Sequence, residues 1–351
     1  RELAEIGPLV GAKLPDLGSF DVQGKLAGSP EVLSLNPLTA IIDKSDFKGQ
    51  ATAAFHKRPK FTVRLDSAVI DFTALMASLE KDEHTPAKKE KPKRRFFSDE
   101  PLPLKTLAKV DADIVLRATN IHARKARFET GHLALKLEDQ DFRLDKFEAN
   151  YKGTKISGNL HIEHGELPQV ATEFLVQNFN LGKFLKETGK SDEVQAVIDI
   201  AAHGTSRGDS IRSLMANLDG AIGAVMEEGY LTHYLDMLSA GLSQKVIDFW
   251  HPPKDVDQIN CAVVQFDITK GVATSRAFVF DSRAGIIDGE GRIDLGTETI
   301  DFLLVPKPRH PELSFMPKLK VSGTVMDPQV GVDKGALLTS AAKALSSLVV
   351  G

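Results

Sequence analysis

The chain has 351 residues, of which 42% are apolar and 26% charged, with a formal charge of −4. That composition is globular rather than disordered, and so small a net charge gives no reason to expect nucleic acid as a partner. The single cysteine, Cys261, excludes an intrachain disulfide framework and any multi-cysteine metal site, while leaving the redox compartment open. The length suits two ordinary domains or one extended β architecture. No apolar run approaches the roughly 20 residues of a membrane-crossing helix. The chain opens Arg1-Glu2-Leu3-Ala4-Glu5, with neither initiator Met nor signal peptide, and reads as a soluble fragment of something longer.

Period-2 alternation dominates from the start. Phe20/Val22/Leu26 and Phe47/Ala51/Ala53/Phe55 alternate, and in Phe61-Thr62-Val63-Arg64-Leu65-Asp66 the apolar side chains take one face. A helix is predicted next, with Phe72, Leu75, Met76 and Leu79 on one stripe and Asp71 placed to cap it. Residues 80–103 break the pattern. They contain Lys88-Lys89-Glu90-Lys91-Pro92-Lys93-Arg94-Arg95 and several prolines, which describes a solvated linker. This basic run, followed by Phe96-Phe97, also offers contact to anionic lipid heads at about 1 kcal/mol per basic residue.

Alternation resumes in Ile114/Leu116, Leu133/Leu135/Leu137, Ile156/Leu160/Ile162, Phe174/Val176 and Ile198/Ile200. Short helices are predicted within Asn178-Phe179-Asn180-Leu181-Gly182-Lys183-Phe184-Leu185 and over 210–217, after Gly208-Asp209. The longest covers 231–250, where Leu231, Tyr234, Leu235, Leu238, Leu242, Val246 and Phe249 keep helical spacing until His251-Pro252-Pro253 stops it. Val264/Phe266/Ile268, Ile300/Phe302/Leu304 and Leu319/Val321/Val325 return to strand, and 336–350 is a small-residue helix candidate too short to span a bilayer. Turns are expected at Lys48-Gly49, Lys152-Gly153, Lys270-Gly271, Asp288-Gly289 and Leu295-Gly296. Strands of about 8 residues joined this way make a meander.

The stretches on either side of the linker look related. Phe47-Lys48-Gly49-Gln50 leads to the strand at Phe61 and then a helix, and Tyr151-Lys152-Gly153-Thr154 leads to the strand at Val170 and then a helix. A third strand-turn-strand unit from Gly289 into Ile300 lacks the helix. Such repetition suggests one elongating sheet.

After Ser210 the sequence resembles the C-terminal region of the AsmA-like family. The residues that carry the resemblance are Ser213-Leu214-Met215-Ala216-Asn217-Leu218-Asp219-Gly220, then Ile259-Asn260-Cys261-Ala262-Val263-Val264-Gln265-Phe266-Asp267. Gly271-Val272-Ala273-Thr274-Ser275-Arg276 follows, then Gly289-Glu290-Gly291-Arg292-Ile293-Asp294-Leu295 and Leu319-Lys320-Val321-Ser322-Gly323-Thr324, ending in Asp327-Pro328. The resemblance implies the periplasmic body of a Gram-negative inner-membrane protein, its N-terminal anchor absent here, with a part in outer-membrane biogenesis. Larger relatives are thought to move phospholipid along a groove in a curled β-sheet. Five segments are expected. Residues 1–79 and 104–209 are β-repeats flanking the 80–103 linker, 210–330 is the family-like β region with helix 231–250, and 331–351 is a C-terminal helix or tail.

The expected fold is mostly β with a few short helices, an extended, curled antiparallel sheet forming an open groove. A self-packed β-sandwich is the alternative. An antiparallel sheet with one apolar face must cover it, and three or four helices shield only a minority of roughly 16 strands. A 16-carbon chain exposed to water costs on the order of 12 kcal/mol at about 0.8 kcal/mol per methylene. A trough lined by Phe47, Phe55, Phe61, Val63, Leu65, Ile114, Leu116, Leu133, Leu135, Phe174 and Val176 would remove most of that cost without chemistry. The 231–250 helix, through Tyr234, Leu235, Leu238, Leu242, Phe249 and Trp250, would pack on the sheet, plug the groove or dock on a membrane.

No constellation points to catalysis, a metal or a cofactor. His161-Ile162-Glu163-His164 has ligand types but only His161 and Glu163 share a strand face, so surface histidines near a turn are expected. Gly289-Glu290-Gly291 lacks the third glycine and the helix of a dinucleotide loop, and reads as a close-packed strand pair or a bend. Cys261 has no activating base near it in sequence. The expected function is binding or transfer of phospholipid or another acyl lipid. The alternative is a scaffold for outer-membrane proteins, using strand edges to hold envelope partners.

Overall fold

In a computed structural model of the chain, residues 19–73, 95–102, 104, 109–123, 126–187, 194–231, 257–283, 285–309 and 318–333 are described. Among them are 20 strands and two short helices. Hydrogen bonding assigns all 20 strands to one sheet, which is mostly antiparallel and open. The outer strands β1 (Phe20–Gly28) and β20 (Asp327–Val332) each pair with one neighbour among the described residues. The expected mostly β, open antiparallel sheet is therefore the architecture, and no second sheet is present among the described residues. The chain divides into two compact units, residues 1–92 with 102–175, and 93–101 with 176–351.

The first unit contains β1, β2 (Val32–Ile42), β3 (Ser45–Ala54), β4 (Lys60–Ser67), β5 (Ile70–Asp71), β6 (Asp111–Ala123), β7 (Ala126–Glu138), β8 (Asp141–Tyr151), β9 (Thr154–Glu163) and the start of β10 (Gln169–Asn180). Tight turns drive the meander. Asp139-Gln140 and Lys152-Gly153 take the two positive φ values, 49° and 75°, then 50° and 87°, that match the twist of paired strands. Lys48-Gly49 is not a turn. It lies inside β3, and a Cβ on Gly49 would sit 2.0 Å from the Arg64 carbonyl oxygen. The glycine answers to close backbone approach, so the two Lys-Gly dipeptides are not equivalent positions.

One pairing departs from the meander. β4 runs parallel to β6, with Phe61 opposite Ala112, Val63 opposite Ile114 and Leu65 opposite Leu116, and β5 extends the parallel register. Parallel neighbours need a long crossover, which the segment from 72 to 110 provides. Asp71, expected to cap a helix, ends β5 and accepts the Thr73 N–H at 2.9 Å, and the expected helix lies outside the described residues beyond Thr73.

The second unit continues β10 into α1 (Leu181–Glu187), β11 (Val194–Gln195), β12 (Val197–Arg207), α2 (Ile211–Ala216), β13 (Asp219–Met226) and β14 (Gly229–Leu231). It ends with β15 (Asp257–Thr269), β16 (Val272–Ser282), β17 (Gly285–Asp294), β18 (Thr299–Pro308), β19 (Leu319–Thr324) and β20. Both short helices start where the sequence supplies a cap. Asn180 accepts the Lys183 N–H at 2.8 Å, and Ser210 forms a reciprocal capping box with Ser213. Leu231, expected to open the long helix, instead ends β14, paired with Asp257. The rest of that helix, with Tyr234, Leu235, Leu238, Leu242, Phe249 and Trp250, and the expected 336–350 helix lie outside the described residues.

Asp288-Gly289 is also not a turn, because both residues lie within β17. The close-packed strand pair expected around Gly289 and Gly291 is present. A Cβ on Gly289 would meet the Phe278 and Phe302 rings at 2.5 Å each, and those rings pack with centroids 5.2 Å apart. They crown a buried cluster of Phe302, Leu304 and Leu319. Gly289→Val is expected to lower stability by about 1–3 kcal/mol through overpacking in urea unfolding. Gly331→Ala, where a Cβ meets nothing within 4 Å, serves as the near-neutral control.

The expected solvated linker is also anchored over its described part. The Phe96 and Phe97 N–H groups donate to the Glu298 carboxylate at 2.9 and 3.0 Å. Arg212 of α2 donates to the Phe97 carbonyl at 2.9 Å and pairs with Asp99. Residues 95–100 are exposed except for Phe97, as a solvated linker would be, yet this strap is tied down by the Glu298 carboxylate, which is only 4% exposed.

Candidate functional site: the apolar sheet faces

Register fixes which side chains share a face, because residues opposite one another in a ladder point the same way. In the first unit, Ala51 lies opposite Val63 and Ala53 opposite Phe61. The parallel pairing carries that face to Ile114 and Leu116, which lie opposite Leu135 and Leu133. Alternation along β3 adds Phe47. A Cβ on Gly158 would touch the Phe174 ring at 3.2 Å, which puts Phe174 on the same side of the β9–β10 pair. Nine of the eleven residues expected to line a trough therefore share one face, namely Phe47, Phe61, Val63, Leu65, Ile114, Leu116, Leu133, Leu135 and Phe174. The other two stand apart. Phe55 lies one residue past β3 and is exposed, and Val176 is buried and belongs to the second unit.

The face is larger than the alternation suggested. Phe147 lies opposite Leu133, Leu144 opposite Leu135 and Phe142 opposite Leu137, and Ile162, Leu160 and Ile156 follow on β9. At the other side come Leu33, Leu35 and Leu38 of β2, then Val22 and Leu26 of β1. Most of these side chains are half-buried. Leu26 is 64% exposed and Val22 46%. Leu38, Leu137 and Ala149 on the same face are buried, while its β1 end is open to solvent. The buried hydrophobic clusters that are described both belong to the second unit. A contiguous apolar surface left this open is unusual for a protein that faces only water.

The opposite face of the first unit is polar. Arg64 Nη2 lies 2.8 Å from Asp113 Oδ2, and Arg58, Lys60 and Lys146 pair with Asp111, Glu138 and Glu148 at 2.6, 3.5 and 3.1 Å. The Arg64 hydrogen bond holds the Asp113 carboxyl below the usual carboxylate range. Backbone N–H groups do the same for Asp46, which accepts from Val69 at 2.7 Å. A depressed carboxyl stabilises the fold above the ordinary value near 4 and loses that contribution as pH falls through its lower folded value. Arg64→Met is therefore expected to flatten the loss of melting temperature below about pH 4, measured by thermal scans between acid and neutral pH.

In the second unit the same logic aligns Ile198 with Met226, then Ala262 and Phe280, and Ile287. Phe302 lies opposite Gly291 on one side and Val321 on the other. Here the face is partly filled from within. Helix α1 lays Leu181 and Leu185 on the cluster of Ala196, Met226 and Ile259. Rings of Phe266, Phe278 and Phe302, packed tilted and edge-on, fill a second region.

The other candidate constellations stay scattered. His161 sits opposite Arg143 on β9, and the His164 N–H donates to Asp141 at 2.9 Å beyond the strand end. Among the described residues no three His, Cys, Asp or Glu side chains gather as metal ligands. Cys261 is half-buried on β15, opposite Asp281.

Comparison with known proteins gives the family of the chain. The family model described as the AsmA family matches residues 3–278. The chain is also 23% identical over 377 aligned positions to the AsmA family protein YhjG of Escherichia coli (strain K12), covering 99% of this chain and 54% of YhjG. It thus spans about half the length of that relative. No solved structure matches.

Proposed function

The chain belongs to the AsmA family, and from that premise we propose that it binds or transfers acyl lipid on the apolar face of its sheet. It does so as the periplasmic part of an inner-membrane-anchored envelope protein that supports outer-membrane biogenesis. The observation that supports this reading is the continuous apolar face of the first unit, from Leu26 to Ile162, most of whose side chains are only half-buried. An acyl chain on that face removes both its own hydration cost and that of the side chains beneath it. No nucleophile or proton transfer is needed, so the reading is not enzymatic. Ion pairs on the opposite face favour water there, giving the sheet one oily and one wet side.

Native mass spectrometry of the purified chain tests this. Co-purified phospholipid or fatty acid, released on gentle activation, is the expected result. A chain recovered free of lipid that also fails to take up a fluorescent fatty acid would overturn it. A scaffold reading is favoured by one observation, that β1 and β20 each pair on one side only among the described residues, and such edges accept strands from partner proteins. It predicts captured protein and no lipid in the same spectra.

A further inference from the structure

Where β10 ends at Asn180, the chain turns into α1, and the Leu181 N–H closes onto the Ala196 carbonyl at 2.9 Å. The turn leaves a notch of about 480 Å³ between α1 and the paired strands β11 and β14. Its walls differ in chemistry. Lys183 and Lys186, spaced i and i+3 on one side of α1, line it from the helix, with Gln195, Val197, Glu228 and Tyr230 opposite. Among the described residues neither lysine ammonium is paired with a carboxylate. Val197 and Tyr230 are 41% and 43% exposed, so the notch also has an apolar side. The other flank of α1 rests on the hydrophobic cluster of the sheet's apolar face. Register puts Gln195 and Tyr230 on the sheet face opposite that cluster, so α1 has oily contacts on one flank and, on the other, a notch whose apolar part is Val197 and the Tyr230 ring beside two lysines.

We propose that this notch binds the phosphodiester of a phospholipid headgroup through Lys183 and Lys186. Two ammonium groups against the one carboxylate of Glu228 leave a single positive charge, which matches the single negative charge of a phosphodiester better than a dianionic phosphomonoester. Tyr230 and Gln195 supply neutral donors for its ester oxygens. The inference deepens the lipid-handling reading and rests on it for the source of the phosphate, but its chemistry is tested separately.

The test is calorimetric titration with dihexanoyl phosphatidylglycerol below its micellar concentration, with glycerophosphoglycerol as the deacylated headgroup and with a neutral hexanoyl glycerol. The wild-type chain and Lys183→Gln/Lys186→Gln are compared, since both side chains are exposed and their loss leaves the fold intact. The double variant is expected to bind the phospholipid about tenfold more weakly, as two charge-assisted hydrogen bonds are lost, and to bind the neutral glyceride as before. Unchanged phospholipid affinity, or an equal fall for the neutral glyceride, would overturn the proposal. Dependence on the acyl chains upholds a lipid source, whereas equal affinity for the deacylated headgroup assigns a free phosphodiester and overturns it. Leu116 lies outside the notch. A chain that takes the short-chain lipid there yet carries no long-chain lipid therefore separates failure of the groove reading from failure of this one.

Discussion

Leu116→Asp is expected to abolish lipid loading while leaving the sheet folded. Leu116 sits mid-face on β6, between Leu65 and Leu133, and is half-buried. A carboxylate there must either keep its water, which breaks the oily track, or lose it at a cost of several kcal/mol. An acyl chain lying over this position meets that cost directly. The apo protein meets it only in part, because the site is open to solvent. Bound lipid should fall at least tenfold in native spectra and fluorescent fatty-acid titrations, with circular dichroism unchanged. Arg143→Ser, an exposed change on the polar face, should load lipid like the wild type. If Leu116→Asp unfolds the chain, the face is a sealed core after all. If lipid loading is unaffected, it is not the track.

The second large effect is on stability. Glu298→Ala should cost about 2–3 kcal/mol, the range for hydrogen bonds to a buried charged group. Its carboxylate takes the Phe96 and Phe97 N–H groups and lies 3.6 Å from Arg212 Nη2. Truncation strands two backbone donors and removes one of the partners of a guanidinium whose side chain is only 13% exposed. Arg212 keeps Asp99, which is why the cost stays below the largest values for a broken buried pair. Hydrogen exchange provides the finer readout. The amides of Phe96 and Phe97 should lose protection in Glu298→Ala while those of β7 keep it. Equal protection in wild type and variant would show that the strap is not held through this carboxylate.

Much of the fold was legible because the side-chain period of a strand is 2. Val63, Leu65, Ile114, Leu116, Leu133 and Leu135 could be assigned to one kind of face before any pairing was known, and register then made it one face. What stayed hidden has local physical causes. Leu35 and Leu38 share the face although they are three apart, because an irregularity between them absorbs Asn36-Pro37. Leu144 and Phe147 do the same across the irregularity at Asp145-Lys146. Each such bulge breaks the alternation that reveals a strand, so Leu33, Leu38, Phe142, Leu144 and Phe147 were missed as candidates.

Glycine misled in another way. Lys48-Gly49 and Asp288-Gly289 both carry a turn signal, yet each glycine sits within a strand where a neighbouring backbone or ring leaves no space for a Cβ, the close packing that the Gly289-Glu290-Gly291 spacing also predicts. One dipeptide cannot distinguish the two uses of a missing side chain. The parallel β4–β6 pairing and the Phe96–Glu298 bond, which joins residues 202 apart in sequence, are tertiary choices. Local patterns carry no trace of them. The lysine notch could have been noticed only as the polar side of an amphipathic turn, since its other wall comes from β11 and β14.

Site-specific photocrosslinking tests the central claim most directly. A benzophenone amino acid placed at Val63 or Leu135, on the apolar face, and at Arg64 or Lys136, on the polar face, reports which side acyl chains occupy in cells. Lipid adducts from Val63 and Leu135 but not from Arg64 or Lys136 are predicted. Adducts from both faces alike, or from neither, would contradict a one-sided hydrocarbon track.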